Sequence, residues 1–431
     1  MGSHGAAVVM RILHVMSGPL FSGAGRGALA LHEALLAKGV NSQMIGRLEP
    51  GLPTELNVIS VPMRAKVIPG LRNRLYMRNL QRRFGPVGMF HPVSHGLALH
   101  RMPAWRDADL IHIQWASAST LGPAFWRHLA QETRPVVWTL RDMWVMSGGC
   151  HFSGNCRGYE SGCTVCPILR DAPQQITSRD IQFKRDHLGS SSFVAISEHI
   201  AECARRSVAT RDRRIDVIPN SVDPSLFTLA DRREARASLG LDQDTFIVAF
   251  GALSLAEKRK GSETLAHLLK LWRDRADLRW LAFGKNLDQI ADPVPGNCTW
   301  FGPVSDPVQL NRIYAAADLF LMPSLQESFG KVTVEAHYSG TPVLAYADTP
   351  AEEILTDTTG WLVPHGDAPA MAARLAQVHA LPRTKLAEMG RMAREKALSR
   401  FSSAIIADRH IDLYRELLGA APGASDEGNG L

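Results

Sequence analysis

The 431-residue chain is 45% hydrophobic and 21% charged, with a formal net charge of +6. This profile indicates a soluble globular protein large enough for two domains with separate cores. No stretch approaches the roughly 18 consecutive apolar residues of a transmembrane helix, so any membrane contact has to be peripheral. Residues 1 to 9 look like a cloning remnant (MGSH) with a short tail rather than a signal peptide, so we expect a cytoplasmic protein.

The first half of the chain alternates apolar runs with helical patterns, as parallel strands do when helices cover both faces of their sheet. The run from Arg11 to Met16 leads into a glycine-rich segment, Gly18 to Gly27, and an amphipathic helix that ends near Leu36. Further strands are predicted at Leu110 to Ile113, Val136 to Leu140, Phe193 to Ile196 and Asp216 to Pro219.

A basic segment interrupts this series, because Leu56 through Arg106 contains no Asp or Glu. Its basic residues include Arg64, Lys66, Arg72, Arg74, Arg78, Arg82 and Arg83, and apolar residues lie between them. Such a segment fits a solvated helix face, an anionic membrane surface or a site that attracts an acidic substrate. Nucleic acid is less favoured, since the charge is confined to one segment and no nucleic-acid motif is present.

Four of the six cysteines fall close together, at Cys150, Cys156, Cys163 and Cys166. The C-x5-C-x6-C-x2-C spacing ends in the C-x-x-C knuckle that tetrahedral thiolate sites favour, so we expect structural zinc, with His151 as a possible substitute ligand. Disulfides or reversible redox chemistry, and merely buried thiols, are the alternatives. A closed four-thiolate site has no position open to substrate, so the zinc would take no part in catalysis. Cys203 and Cys298 are expected to be lone structural cysteines.

The alternation starts afresh after residues 219 to 224, with strands predicted at Phe246 to Phe250, Trp280 to Phe283, Leu319 to Met322 and Pro342 to Tyr346. Two such series predict an α/β protein with two Rossmann-like, doubly wound domains that face each other across a cleft. We place the N-terminal domain at 10–223 and the C-terminal domain at 224–400, with a boundary near residues 220 to 235. A last helix over 401–419 is expected to pack back on the N-terminal domain.

The segment from Pro323 to Pro342 (PSLQESFGKVTVEAHYSGTP) is the most informative part of the chain. It directly follows a predicted strand, and ligands of open α/β sheets bind beyond the carboxyl ends of the strands. Glu327 lies in the turn and Glu335 in the following helix. The helix N-terminus at Gly330, Lys331 and Val332 offers backbone N–H groups to an anionic ligand. Taken singly, Glu327 fits a helix-capping carboxylate and Glu335 a solvated helix face equally well.

This segment resembles the E-x7-E signature of retaining glycosyltransferases of family 4, which have the GT-B fold. The likeness extends to the loop from Gly251 to Leu265, to the stretch from Ser197 to Phe227, and to GPV, ADLFLMPS, SGTPVLAY, AEEI and GWLV in family order. It covers most of the chain from Arg11 to about Asp367. The DMW and GGCH motifs around the cysteines resemble a colanic-acid-type subgroup that works on bacterial surface polysaccharides.

The resemblance implies a role for each matching residue. Glu335 would bind the nucleotide ribose, Glu327 the donor sugar, and Lys260 the phosphate charge that grows as the nucleotide leaves. The remaining donor-binding residues would be Gly251, Ser328, Phe329, Gly330, Lys331 and Val332, with Gly23 and Gly25 of the glycine-rich segment closing over the diphosphate. The implied donor is a UDP- or GDP-sugar, and no catalytic metal is expected.

Two departures from the family pattern are present. The Arg that usually follows the first glycine of the C-terminal domain is Ala252 here, and we expect Arg259, next to Lys260, to supply that charge. The usual His-Asp pair of the N-terminal domain is Arg141-Asp142. Because an Arg cannot act as a general base at neutral pH, a catalytic contribution of Arg141 has to be electrostatic or positional.

The sequence thus predicts a retaining glycosyltransferase that moves a sugar from a nucleoside-diphosphate donor to a glycan or lipid-linked acceptor, in surface polysaccharide or glycoconjugate biosynthesis. The nearest rival enzyme is another GT-B protein, such as a sugar-nucleotide epimerase or a glycogen-type synthase. The epimerase is disfavoured, because the E-x7-E segment and its flanks fit family 4 better. A catalytically silent binding protein that uses the fold as a scaffold is the alternative from a different class.

Overall fold

A computed structural model describes residues 10–18, 20, 22–47, 56–115, 120–169 and 175–419. The expected N-terminal tail, residues 1 to 9, lies outside them, as do residues 19 and 21 of the glycine-rich segment. The described chain forms two compact units. Unit 1 contains residues up to Ile196, Ile200–Ile218 and the chain from Ala404 onward, and unit 2 contains Ser197–His199 and Pro219–Ser403.

The first sheet, in unit 1, is wholly parallel and has seven strands in the order β3-β2-β1-β4-β5-β6-β7. The elements of this part of the chain are β1 (Arg11–Ser17), α1 (Gly23–Ala37), β2 (Asn41–Arg47), β3 (Val58–Ser60), α2 (Met63–Phe84), α3 (Pro103–Asp107), β4 (Leu110–Trp115), α4 (Pro123–Leu129), β5 (Val136–Leu140), α5 (Gln175–His187), β6 (Ser192–Ala195), α6 (Glu198–Arg206) and β7 (Ile215–Val217). The strand order reverses between β1 and β4, which is where such sheets bind their ligands.

The second sheet, in unit 2, is also parallel, with the order β10-β9-β8-β11-β12-β13. Its elements are α7 (Arg232–Ser238), β8 (Phe246–Ser254), α8 (Ser262–Leu271), β9 (Leu278–Lys285), β10 (Cys298–Trp300), α9 (Pro307–Ala316), β11 (Leu319–Met322), α10 (Lys331–Tyr338), β12 (Val343–Tyr346), α11 (Ala351–Ile354), β13 (Gly360–Val363), α12 (Ala368–His379) and α13 (Arg383–Phe401). Here the order reverses between β8 and β11. The predicted class, two Rossmann-like α/β domains, is confirmed.

The last helix, α14 (Ser403–Leu417), completes the core of unit 1. Its apolar face, including Ile406 and Ile411, packs in one buried cluster with Ile12 of β1 and Leu110 of β4. The hydroxyl of Tyr414 lies 2.6 Å from Nδ1 of His112 at the centre of the sheet. A stretch of chain that begins more than 180 residues after β7 therefore belongs to the first core.

Buried apolar side chains fill both cores, and most strands are continuous hydrophobic runs because helices cover both faces of each sheet. Among the described helices, none is both long enough and apolar enough to cross a membrane. One difference from the sequence prediction lies within the glycine-rich segment, Gly18 to Gly27. The helix α1 already begins at Gly23, because the Ser22 side chain caps it by accepting from the N–H of Gly25. Gly23 and Gly25 are thus helical residues rather than loop residues.

Candidate active site

The carboxyl edge of the second sheet brings Lys260 and Glu327 together. Nζ of Lys260 donates to Oε1 of Glu327 over 2.6 Å, and Nη1 of Arg259 lies 4.0 Å from Oε2 of the same carboxylate. Lys260 and Arg259 come from the loop after β8, while Glu327 lies in the turn after β11, so the two strands at the switch point supply the cluster. Arg259 joins the two segments further, since its carbonyl accepts from the N–H of Leu325.

Glu327 is 9% exposed, and its charge is maintained by its neighbours. Burial by itself raises its pKa, but the positive charges of Lys260 and Arg259 outweigh burial and hold the pKa below the usual value for a Glu. Glu327 is therefore a carboxylate at neutral pH. With Lys260 it forms a polar pair that can bind both a sugar hydroxyl and a phosphate.

A glycine allows the Lys260 loop to approach β11 this closely. Gly261 has φ of +78°, and a Cβ atom at this position would lie 2.0 Å from the carbonyl oxygen of Pro323. A side chain here would push the loop away and carry Lys260 from Glu327. The sequence prediction did not single out Gly261, although a glycine directly after a basic cluster at the start of a helix is a readable signal.

Helix α10 begins four residues after Glu327 in the chain. Gly330 is its N-cap residue, in the left-handed region at φ +82°, and Lys331 is its first residue. The N-terminal backbone of α10 therefore lies at the carboxyl edge of the sheet, as predicted for Gly330, Lys331 and Val332. Phe329 is buried, with its ring 5.6 Å from that of Phe401, and the Ser328 carbonyl accepts from the Ser197 hydroxyl.

Glu335 lies just over one turn into α10 and is 5% exposed. Its Oε2 accepts from the Tyr314 hydroxyl at 3.0 Å, and its Oε1 is 3.7 Å from Nζ of Lys331. A carboxylate has about four lone-pair positions, so these contacts leave room for a further donor such as a ribose hydroxyl. Tyr314, in α9, was missed because nothing local marks an aromatic residue as the partner of a Glu 21 residues away.

Gly251 lies within β8 rather than in a loop. A Cβ atom there would come within 2.2 Å of the Phe283 ring, so the glycine serves close packing between β8 and β9. The Arg259 guanidinium lies 3.0 Å from a Glu257 oxygen and donates to the Gln326 carbonyl, as well as approaching Glu327. Arg259 therefore brings positive charge to the cluster.

Arg141 occupies a buried position in unit 1, directly after β5. Its guanidinium donates to Oε1 of Gln114 over 2.5 Å, and His14 and His112 contribute to the same buried polar cluster. Burial lowers the pKa of Arg141 to about 9, so it remains a cation at neutral pH. An electrostatic or positional role is thus the one chemistry allows.

The four clustered cysteines line one small cavity of about 30 Å³ in unit 1. All are free thiols, and backbone N–H groups of Gly158 and Gly148 point at the Sγ atoms of Cys156 and Cys163. Within the described part of the chain, however, no three Cys, His, Asp or Glu side chains converge closely enough to hold a metal ion. His151, the possible substitute ligand, lies within hydrogen-bond distance of Asp142 through Nδ1 and of His91 through Nε2.

Comparison with known proteins gives the class. A model of glycosyltransferase family 4 matches residues 21–226, and a model of group 1 glycosyl transferases matches residues 244–380. The putative colanic acid biosynthesis glycosyl transferase WcaC of Escherichia coli is 23% identical over 92% of this chain and 97% of its own length. The chain belongs to the family 4 glycosyltransferases.

Other similar proteins agree. The D-inositol 3-phosphate glycosyltransferase of Segniliparus rotundus is 34% identical, but the match spans 53% of each chain, so it covers about half the length of that relative. The solved structure of Anabaena Alr3699/HepE in complex with UDP and glucose superposes with a TM-score of 0.62 at 17% identity, over 94% of this chain and all of that one. This likeness identifies the GT-B fold, as predicted.

Proposed function

We propose that this protein transfers a sugar from a nucleoside-diphosphate donor to a hydroxyl group of a glycan or lipid-linked acceptor, with retention at the anomeric carbon. The observation that carries the proposal is the Lys260–Glu327 pair at the switch point of the second sheet, beside the N-terminus of α10. An ionised carboxylate, a lysine and a helix N-terminus together match a ligand that joins a sugar to a diphosphate.

This geometry supports the following roles. Lys260 and Arg259, with the backbone of Ser328, Phe329, Gly330, Lys331 and Val332, hold the diphosphate and the sugar. Glu327 accepts hydrogen bonds from sugar hydroxyls, and Glu335 uses its remaining lone pairs for the ribose diol. Gly251 keeps β8 close to β9 beside the site, and Gly23 and Gly25 of unit 1 contact the donor diphosphate.

In the reaction, the bond from the anomeric carbon to the β-phosphate oxygen breaks, and its electron pair leaves with the nucleoside diphosphate. The acceptor oxygen forms the new bond to the anomeric carbon on the face that the phosphate leaves, and its proton passes to that phosphate. Lys260 stabilises the negative charge that grows on the leaving group. Arg141 contributes as a fixed positive charge.

The relatives suggest which donor to test first. Alr3699/HepE is described in complex with UDP and glucose, so UDP-glucose heads a panel of UDP-, GDP-, ADP- and dTDP-sugars. Thermal stabilisation by one nucleotide, with release of that nucleotide from its sugar donor, is the expected result. Tight binding of a nucleotide with neither transfer nor hydrolysis would overturn the proposal in favour of a silent sugar-nucleotide binding protein.

Two variants test the donor roles separately. Glu335→Gln should weaken nucleotide binding, measured as the Kd for UDP or the nucleotide found in the panel. Glu327→Gln should lower the transfer rate more than it raises that Kd. Turnover unchanged in Glu327→Gln would show that the assignment of Glu327 to the donor sugar is wrong.

A lipid-linked acceptor and a place at the inner membrane face are supported by α2. Its exposed side carries Val67, Ile68, Leu71 and Leu75, each more than half exposed. The same face continues with Arg74, Arg78 and Arg82, so apolar and cationic groups share one surface, as in helices that lie on anionic membranes. The Arg64 side chain lies outside the described part of the structure.

A cavity beneath this helix offers room for the acceptor. It measures about 510 Å³, and its lining includes Tyr76 and Arg83 of α2 and Arg179 and Phe183 of α5. Aromatic rings with two guanidinium groups suit a sugar on an anionic carrier, such as a lipid phosphate. Surface polysaccharide or glycoconjugate synthesis is the setting in which such an acceptor occurs.

We also propose structural zinc at Cys150, Cys156, Cys163 and Cys166. Four thiols around one cavity are the donor set of a closed zinc site, and N–H groups directed at Sγ atoms are the contacts that stabilise thiolates. The bound ion would draw the four sulfur atoms together and fix the loop between β5 and α5, without contact to substrate.

A further inference from the structure

Unit 1 contains a chain of three hydrogen-bonded side chains that the roles above do not use. Nδ1 of His151 lies 2.7 Å from Oδ2 of Asp142, and Nε2 of His151 lies 3.1 Å from Nδ1 of His91. His151 is fully buried and Asp142 is 8% exposed, while His91 is partly exposed. The chain therefore runs from the interior outward and ends at Nε2 of His91.

Asp142 is fixed as a hydrogen-bond acceptor. Two groups that can only donate point at it: the Trp115 indole N–H, 2.6 Å from Oδ2, and the Trp144 backbone N–H, 2.8 Å from Oδ1. Burial by itself raises the pKa of Asp142, yet His151 and these donors lower it below the usual value for an Asp. At neutral pH Asp142 is thus a carboxylate with no proton to donate.

An acceptor at this end fixes the first hydrogen of the chain. Because the carboxylate only accepts, Nδ1 of His151 carries a hydrogen. One further hydrogen lies between Nε2 of His151 and Nδ1 of His91, and when it belongs to His91, Nε2 of His91 has a lone pair that no hydrogen occupies. Burial lowers the pKa of His91 to about 4, so this ring takes up no second hydrogen at neutral pH. The outer end is then a hydrogen-bond acceptor.

The chain lies where a ligand of unit 1 should bind. Trp115 ends β4, and Asp142 follows β5 by two residues, so both are at the carboxyl edge of the sheet, next to the β1–β4 switch point. Backbone bonds hold the outer residue in place, since the N–H of His91 donates to the Gly149 carbonyl. Among the described residues, no side chain or backbone group is bonded to Nε2 of His91.

We propose that Asp142, His151 and His91 form the acceptor-side subsite, in which Nε2 of His91 accepts a hydrogen bond from a hydroxyl group of the acceptor sugar. This assignment rests on the proposed function. A lone pair held by a fixed chain binds groups that donate, such as sugar hydroxyls, and it rejects carboxylate or carbonyl oxygens at the same point. The chain selects and orients the acceptor, and no proton has to move along it.

The tautomers can be read directly by long-range ¹H–¹⁵N NMR on protein labelled at the histidine ring nitrogens, with His91 assigned by its absence in His91→Gln. The expected spectrum shows a protonated Nδ1 and an unprotonated Nε2 for both His91 and His151. In Asp142→Asn, the side-chain NH2 group replaces one of the two carboxylate oxygens, so it has to face a group that donates to Asp142 in the native protein. Two donors would then point at each other, and the native tautomer pattern should be lost. A protonated Nε2 on His91 in the native protein would overturn the proposal.

The binding role is tested by transfer from UDP-glucose, or from the donor that the panel identifies, to octyl glycosides of glucose, galactose, mannose and rhamnose. His91→Phe removes the lone pair and should raise the acceptor KM by at least about tenfold, with the nucleotide Kd unchanged. His91→Gln keeps one donor and one acceptor and should restore part of the loss. His95→Phe, an exposed histidine of the same segment, is the matched control and should behave as the native protein.

The outcomes separate the two proposals. An unchanged acceptor KM in His91→Phe, in a protein that transfers normally, refutes the subsite and leaves the transferase intact. If the native protein binds no nucleotide and transfers nothing to any octyl glycoside, the proposed function fails and the subsite fails with it. A raised KM in His91→Phe with partial recovery in His91→Gln supports the subsite, since a merely structural role would also weaken nucleotide binding or stability.

Discussion

Nζ of Lys260 lies 2.6 Å from Oε1 of Glu327, although the two residues are 67 positions apart in the chain. Both side chains are mostly buried, so each charge depends on the other. Removing one partner of a buried pair leaves an uncompensated charge, whereas removing both does not.

We therefore expect Lys260→Met to lower the free energy of unfolding by about 2 kcal/mol. This loss is smaller than that for breaking an isolated buried ion pair, because Arg259 remains near Glu327. The double variant Lys260→Met/Glu327→Gln should regain most of this stability but bind nucleotide no better than Lys260→Met. Urea unfolding of the two single variants and the double variant measures the coupling. Strictly additive losses would contradict the pair.

The close approach at Gly261 gives a second prediction. Gly261→Ala should cost about 2 kcal/mol of stability and also weaken nucleotide binding, because the new Cβ displaces the loop that carries Lys260. Gly240→Ala is the matched control, since Gly240 has φ of +66° but open space around it. It should show only the backbone cost and leave nucleotide binding unchanged. Equal nucleotide Kd values for both variants would show that the contact with Pro323 does not position Lys260.

Stability should fall in mild acid because of the histidines buried in unit 1. Burial lowers the pKa of His14 and His112 well below the usual value and that of His410 to about 4. Arg141 adds to this effect at all three, and the nearby Tyr414 hydroxyl stays protonated. In the unfolded chain histidines titrate near about 6.5, so below that pH the unfolded state binds more protons.

The free energy of unfolding is thus expected to be flat above about pH 7 and to decrease below about pH 6.5, by up to about 1.4 kcal/mol per pH unit for each such histidine. Urea unfolding at pH 7.5 and 5.5 measures this slope. His410→Phe should make it shallower, while His267→Phe, at an exposed position of α8, should not change it. Identical slopes in all three proteins would refute the assignment.

Metal analysis tests the cysteine cluster. One zinc per chain is expected in protein purified without chelator, and Cys163→Ser should lose it together with part of the thermal stability. Cys298→Ser provides the control, because Cys298 is a partly buried thiol of unit 2, outside the cysteine cluster. The same metal content in the native protein and in Cys163→Ser would rule out zinc at this site. Donor specificity should be the same in the native protein and in both cysteine variants.

Binding to lipid vesicles tests α2. The native protein should bind phosphatidylglycerol vesicles more tightly than phosphatidylcholine vesicles, and salt should weaken this binding. Leu71→Glu/Leu75→Glu should reduce the affinity by at least about tenfold, since two exposed apolar side chains would no longer enter the interface. Leu271→Glu, on an exposed position of α8, should bind as the native protein does. Equal affinity in the double variant would exclude this helix as the contact.

Local patterns in the sequence were enough to predict the two sheets, since buried parallel strands are continuous apolar runs. They missed β2, whose residues Asn41–Arg47 are largely polar, and the three-residue strands β3 and β10. They also missed β13, an edge strand whose two central residues are only partly buried. Short or polar strands carry too little pattern to be distinguished from loops, and the fold places them by pairing with neighbours.

The same distinction between local sequence signals and tertiary packing applies to the candidate site. Glu327 and Glu335 could be placed around a helix start because the signal lies within one short segment. The partners Lys260 and Tyr314, and the approach of His91 to His151 across 60 residues, depend on which strands are neighbours in the sheet. Strand order is decided by tertiary packing, so these contacts could not be read from spacing along the chain.

The position of α14 determines when the first unit can be finished during synthesis. Tyr414 and its neighbours fill the core of a unit whose strands are complete at Val217, but about 200 residues of chain, including nearly all of unit 2, are made in between. A nascent chain can thus complete unit 2, which is almost continuous, before unit 1 has its last helix. Truncation after Ser403 should spare the second unit and leave the first with an open apolar groove, a species that chaperones or proteases would recognise.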